Sequence, residues 1–208
     1  MKADTVIRAM EITITEAIQK ERSRLVAKPS SQSSMTTTSN AIISNEEVKE
    51  LLADYLPSKQ VFLCADKELC YFGNAPTLSD IGNKYGKKLP LIWLVGQITD
   101  LVTFTNCKNI VSEVQIRELA RMINAEYHYY KLTEVMLFFY QFKIGDFGEF
   151  YGTISPIVVM KALQEFKQQR CAEYDNHIRK QNEIQRERDM QGCISYPEWL
   201  KMKDSINS

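Results

Sequence analysis

Apolar residues spaced by threes and fours dominate the second half of this chain and much of the first, and most such runs are announced by the same start signal. Ser44 with Glu47, Thr77 with Asp80, Ser112 with Gln115 and Ser195 with Glu198 each place a hydroxyl three residues ahead of an acid or amide, the spacing of a capping box or its aspartate variant. These signals predict helices near residues 45–56, 78–86, 113–126 and 196–204. Periodicity alone predicts two more, at 89–104 and at 132–144, the latter stopped by Gly145. Ser155 and Pro156 supply a cap and a first-turn proline, and neither proline nor glycine follows until Gly192, so one helix is expected over 156–188. At 1.5 Å per residue it would be about 50 Å long. Its first third is strongly apolar, whereas residues 167–189 carry six basic and five acidic residues with apolar ones too irregular for a heptad seam. That portion reads as a solvated helix projecting from the body. Short extended pieces are expected at residues 61–64 and 69–72. The fold class is all-α.

The beginning of the chain reads differently. Residues 3–27 carry Val6, Ile7, Met10, Ile14, Ala17, Ile18 and Leu25 at helical spacing, the pattern of an amphipathic helix. The tract KPSSQSSMTTTSN follows, with a single apolar side chain, too little to offset the entropy of ordering it. The expected organisation is a tethered N-terminal helix over 1–27, a flexible Ser/Thr-rich linker over 28–41, and a helical body over 42–208 that includes the long helix.

Composition narrows the function. The 26 Lys and Arg balance 26 Asp and Glu, so no global positive field is present to hold nucleic acid, and any phosphate contact must come from a local patch. The five cysteines are widely spaced and odd in number, which fits reduced thiols in a cytoplasm rather than a disulfide framework. Cys64 and Cys70 would join His128 and His177 in a zinc site only if folding gathered all four. The first residues are charged throughout and lack the apolar stretch of a secretory signal. The most apolar stretch, 89–104, is broken by Gln97 and Asp100 and is too short to span a bilayer, so a cytoplasmic protein with no membrane partner is expected.

Ten of the 21 aromatic residues fall within residues 127–151. Such clustering marks the centre of a core or the centre of a site. Met136 and Phe139 project from a helix apolar almost all round, which predicts core. Tyr129, Tyr130, Phe147, Phe150 and Tyr151 flank that helix beside Lys131 and Lys143, and aromatics interleaved with lysines are what single-stranded nucleic acid stacks on; packing alone gives the same pattern. These seven residues are the candidate contact set, for stacking and phosphate contact or for anchoring a partner helix. The remaining motifs are incomplete. GNKYGKK at residues 82–88 has three residues between its glycines where a P-loop needs four, and Lys88 where it needs a hydroxyl, so it reads as a helix ending at Gly86. Gly145, Gly148 and Gly152 follow a helix rather than a strand and do not make a dinucleotide fingerprint. Asp146 and Glu149 lack a third metal ligand. No catalytic residue, metal or cofactor is expected.

The Thr133, Glu134, Phe138 and Phe139 helix, the aromatic loop from Gly145 to Gly152, and the Ser155-Pro156 helix running to Phe166 and Arg170 resemble a group of uncharacterised proteins of Bacteroidetes genomes, their phages and mobile elements. The resemblance covers roughly residues 90–172. In layout the chain also resembles the non-ATPase helicase loaders of some phages, although its linker precedes the helical body where theirs follows it. The resemblance implies a non-enzymatic accessory protein acting with single-stranded DNA or with a replication protein such as a replicative helicase. The competing expectation is a protein-interaction module that uses the aromatic cluster or the long helix and binds no nucleic acid.

Overall fold

The computed structural model describes residues 45–105, 112–148, 154–191 and 196–206. The N-terminal helix and linker expected over residues 1–41, the caps at Ser44 and Ser195, and Glu149, Phe150 and Tyr151 lie outside the described residues. Within them the chain is all-α, with helices α1 (Asn45–Asp54), α2 (Gln60–Leu63), α3 (Lys67–Phe72), α4 (Leu78–Tyr85), α5 (Leu89–Thr105), α6 (Glu113–Glu126), α7 (Leu132–Ile144), α8 (Pro156–Gln191) and α9 (Tyr196–Ile206). The chain divides into two compact units at Glu165/Phe166, inside α8.

Local chemistry sets the boundaries in the first unit. Helix α1 stops at Asp54, two residues earlier than its periodicity predicts, because Leu56 precedes a proline and is held extended, at φ −70° and ψ 149°. Pro57 then opens a 3₁₀ turn (Pro57–Lys59) that runs into α2. The extended pieces expected at 61–64 and 69–72 are helical instead. The amide of Cys64 donates to Gln60 O at 2.9 Å, closing one α-turn, and the Asp66 carboxylate caps α3 by accepting from Leu69 N at 3.0 Å. A β-branched or aromatic flavour over four residues does not outweigh a proline start and an aspartate cap at the right spacing.

The capping boxes at Thr77 and Ser112 are both formed, and α6 begins and ends where its cap and periodicity place it. Hydrogen bonds from the Thr77 amide and hydroxyl hold the Asp80 carboxyl below the usual carboxylate range. Its contribution is therefore present at neutral pH and is lost as acid protonates it. Gly86 (φ 109°) and Gly145 (φ 89°) end α4 and α7 in backbone conformations that glycine alone adopts without strain.

The N-termini of α4 and α7 are laid side by side. Thr77 and Lys131 form an antiparallel bridge, with Leu78 N donating to Tyr130 O at 3.0 Å, Ser79 N to His128 O at 2.8 Å and Leu132 N to Pro76 O at 2.9 Å. Two of the orphan amides at the start of α4 and the first of α7 thus find carbonyl partners from the opposite strand of chain. This seam fixes α7 in the middle of the unit, where it packs against α2, α3 and α5, while α5 pairs with α4 and α6. Leu132, Val135, Met136, Leu137, Phe138, Phe139 and Phe142 are all buried, on every side of α7. Trp93, Leu94, Ile98 and Leu101 of α5 and Leu119, Ala120 and Ile123 of α6 complete the core around them.

The second unit comprises α8 from Phe166 onward, and α9. Helix α8 has 36 residues and so spans about 54 Å. Ile178, Ile184 and Met190 on its polar portion are exposed. They are spaced by six residues, about 240° around the axis at each step, so they point to three different sides and make no seam. In α9 the Tyr196 and Trp199 rings stack at 6.0 Å and 17°, with Lys203 Nζ 5.2 Å from the Trp199 ring. No described helix is long and apolar enough to cross a membrane.

Because Phe139 and Met136 are fully buried at the centre of the first unit, Phe139→Ala should cost about 3–5 kcal/mol and Met136→Ala about 2–5 kcal/mol in denaturant unfolding. Losses below about 1 kcal/mol would contradict a central α7.

Candidate functional site

The seven residues singled out by sequence separate once they are placed. Tyr130 is completely buried, with its ring edge-on to Tyr129 at 5.0 Å and tilted by 49° to Tyr127 at 5.1 Å. Tyr129 is exposed at 38%. Phe147 is half-buried, its ring 5.5 Å from Phe138 and 6.3 Å from Phe142, so it lids the core beyond Gly145. Phe150 and Tyr151 lie outside the described residues. Both lysines carry structural duties. Lys131 Nζ donates to Tyr71 O at 2.7 Å and Gly73 O at 2.9 Å, satisfying carbonyls at the end of α3 that the helix itself leaves open. Its own amide donates to Glu134 Oε2 at 2.9 Å. A lysine side chain has no acceptor, so only this return half of a capping box operates at α7.

Lys143 lies at the far end of α7 and anchors a polar chain through the core. Its ammonium pairs with Asp100 Oδ2 and donates to Gln60 Oε1 at 2.7 Å. Gln60 Nε2 donates to Gln97 Oε1 at 2.6 Å, and Gln97 Nε2 donates to Tyr55 O at 2.9 Å. Trp93 Nε1 donates to the same carbonyl at 2.9 Å. The direction is forced: a lysine offers donors only, so Gln60 must turn its oxygen to Lys143 and its amide to Gln97, which leaves the Gln97 amide for Tyr55. Gln60 and Gln97 are 1% and 0% exposed, so each bond stands in place of water neither residue can reach. Sequence reasoning passed over this chain, although Gln97 and Asp100 were its visible signal: two polar residues one turn apart on one face of the most apolar helix.

Near the start of α7, Thr133 Oγ1 donates to Cys70 O at 2.8 Å. Residues 60–70 therefore lie antiparallel along α7, Gln60 level with Lys143 and Cys70 level with Thr133. Cys64 and Cys70 are buried there. The Cys64 thiol, hydrogen-bonded to Cys70 and desolvated, is pushed far above its usual range, which keeps it protonated and inert, and the same bond lowers Cys70. Among the described residues no three His, Cys, Asp or Glu side chains gather into a metal-ligand set.

Several large apolar side chains next to the polar chain are exposed. Val61 and Phe62 follow Gln60 and are 61% and 81% exposed; Phe104, one turn beyond Asp100, and Ile144, next to Lys143, are also exposed. The Phe104 ring lies 5.6 Å from Lys143 Nζ. Val61, Phe62, Phe104 and Ile144 are thus four exposed large apolar side chains, each next to or one turn from a residue of the polar chain, and exposed apolar side chains of this size are the kind that contact another protein.

Residues 110–206 match the model of a family of unknown function (DUF6633). No curated protein and no solved structure matches the chain. The similarity to an uncharacterised family thus spans α6 to α9, including the Thr133–Phe139 helix and the Ser155-Pro156 start. Lys143 and Ile144 fall inside the matched region, whereas Gln60, Phe62 and Phe104 fall outside it.

If both ammonium groups are committed to the fold, Lys131→Met and Lys143→Met should each lower unfolding free energy by about 1.5–3 kcal/mol, the range for hydrogen bonds to a charged group. Lys167→Met, on the exposed face of α8, should stay within about 0.5 kcal/mol. Equal, negligible effects at all three positions in denaturant titrations would mean the two ammonium groups are free to serve a ligand.

Proposed function

We propose that this protein is a non-enzymatic protein-interaction module of the cytoplasm, whose docking surface is the apolar end of α7 formed by Val61, Phe62, Phe104 and Ile144. The observation that carries the reading is Phe62: a phenylalanine 81% exposed on a short helix whose preceding residue, Gln60, is locked into the core. Exposing such a ring to water is unfavourable by roughly the free energy its burial would return, about 1.5–3 kcal/mol, and a partner recovers that energy. Rigid presentation lowers the ordering cost of binding. The partner is a protein with an apolar helix or groove; an accessory role beside a replication protein, in a phage or mobile-element setting, is one such assignment. Direct stacking on single-stranded DNA draws less support, because Tyr130 is enclosed and Lys131 and Lys143 hold carbonyl and carboxylate partners.

Two measurements together test this. A photo-crosslinking phenylalanine analogue at position 62 should give one discrete adduct in cells, abolished by Ile144→Glu, while the same analogue at Lys167 gives none. Anisotropy of a labelled single-stranded oligonucleotide at low salt should stay flat at micromolar protein. Oligonucleotide binding that falls with rising salt and with Tyr129→Ala, in the absence of a position-62 adduct, would overturn the interaction-module reading in favour of nucleic acid.

A further inference from the structure

Two buried thiols lie against each other where α2 passes into α3. Cys64 is the C-cap of α2 and Cys70 lies within α3, and both side chains are buried. The backbone fixes their approach. The Cys64 amide donates to Gln60 O at 2.9 Å, the Cys70 amide donates to Asp66 O at 3.2 Å, and Cys70 Sγ reaches back to Leu63 O at 3.3 Å. That carbonyl belongs to the peptide bond leading into Cys64, so the Cys70 sulfur is held beside Cys64, whose thiol hydrogen-bonds to it. On its other side α3 is anchored to α7, with Thr133 Oγ1 donating to Cys70 O and Lys131 Nζ to Tyr71 O. Two sulfurs already in hydrogen-bonding contact need only a small closure to reach the disulfide length of about 2.0 Å.

From this geometry we infer that Cys64 and Cys70 are a reversible, hydroperoxide-responsive dithiol whose disulfide clamps α2 to α3. Cys70 is the attacking sulfur, because the hydrogen bond it accepts from Cys64 favours its thiolate, against the opposing effects of burial and of the Asp66 and Glu134 carboxylates. Its sulfur takes one oxygen of hydrogen peroxide: an S–O bond forms as the O–O bond breaks, and the departing hydroxide takes up the proton Cys70 released, giving water and a Cys70 sulfenic acid. The Cys64 sulfur then attacks the sulfenic sulfur. The S–S bond forms, the S–O bond breaks, and the Cys64 proton leaves with the hydroxyl as a second water. Two thiols lose two electrons and one peroxide becomes two waters. The positive charge of Lys143 favours the Cys64 thiolate that this second step needs. Burial reserves the pair for a small oxidant, admitted when the short connection between α2 and α3 opens. In the oxidised form α2, otherwise a four-residue helix held by the Gln60 bonds, is tied covalently to the helix that α7 anchors. The inference stands apart from the interaction-module reading.

Peroxide treatment of the folded full-length chain, followed by alkylation of the remaining thiols and mass spectrometry of the tryptic peptides, tests it. Trypsin cuts after Lys59, Lys67 and Lys84 and so separates the two cysteines into peptides 60–67 and 68–84. The pair should be recovered joined, several-fold more abundant than any species joining either peptide to that of the exposed Cys171, and should separate again on treatment with a dithiol reductant. Cys64→Ser should leave Cys70 as a sulfenic acid that dimedone traps, whereas Cys70→Ser should leave Cys64 unlabelled. In the joined form, amide exchange across residues 60–64 should slow several-fold. Full alkylation of Cys64 and Cys70 after peroxide has oxidised Cys171 would overturn the inference. So would joining that takes place only in urea, dimedone labelling of Cys64 in preference to Cys70, or exchange across α2 that is unchanged or faster in the joined form.

Discussion

A single file of hydrogen bonds, from the Tyr55 carbonyl through Gln97 and Gln60 to Lys143 and Asp100, determines how the first unit is put together. Each link takes a polar group that is costly to bury and satisfies it with a neighbour from a different element, so α2, α5 and α7 can meet only in the register where every donor faces an acceptor. Apolar packing supplies most of the stabilisation, but it is tolerant of small slips. The polar file is not, because shifting α2 by one residue would break both Gln60 bonds and leave the Gln60 amide and the Gln97 side-chain oxygen without partners where water cannot reach them.

The surface follows from that register. With Gln60 turned inward, Val61 and Phe62 have no inward position left on a four-residue helix and must face out. At the other end of α7, the Thr77–Lys131 seam and the Lys131 contacts to Tyr71 and Gly73 carry out the same task for the start of the helix, using backbone carbonyls as acceptors. Between these two polar clamps Phe138, Phe139 and Phe142 of the aromatic segment are taken up by the core. A tyrosine-rich and lysine-rich stretch therefore stabilises the fold, and the exposed chemistry arises on residues that the sequence presents as unremarkable.

Much of the fold was legible because helix caps are local. Thr77 with Asp80 and Ser112 with Gln115 act within four residues, and the helices they open begin where the spacing places them. Gly145 was legible for the same reason, since a positive φ is a property of one residue. Residues 61–64 and 69–72 misled because their β-favouring side chains are weak evidence over four residues beside the Pro57 start and the Asp66 cap. The candidate site was the least legible. Whether a lysine meets phosphate or a carbonyl depends on what lies 58 to 83 residues away in the chain, as with Lys131 and Gly73 or Lys143 and Gln60. No local pattern carries that information. Gln97 and Asp100 gave a usable hint, because polar residues on one face of an otherwise apolar helix need a buried partner.

The central claim is that the buried amide pair fixes α2 on the core, and a double-mutant cycle on Gln60 and Gln97 tests it most directly. Gln60→Leu or Gln97→Leu alone strands the other amide, so each should cost about 2–3 kcal/mol in denaturant unfolding. Removing both strands neither, as Lys143 keeps Asp100 and the Tyr55 carbonyl keeps Trp93. The double variant should then lose less than the two singles together by at least about 1 kcal/mol. Strict additivity, within about 0.3 kcal/mol, would contradict the account.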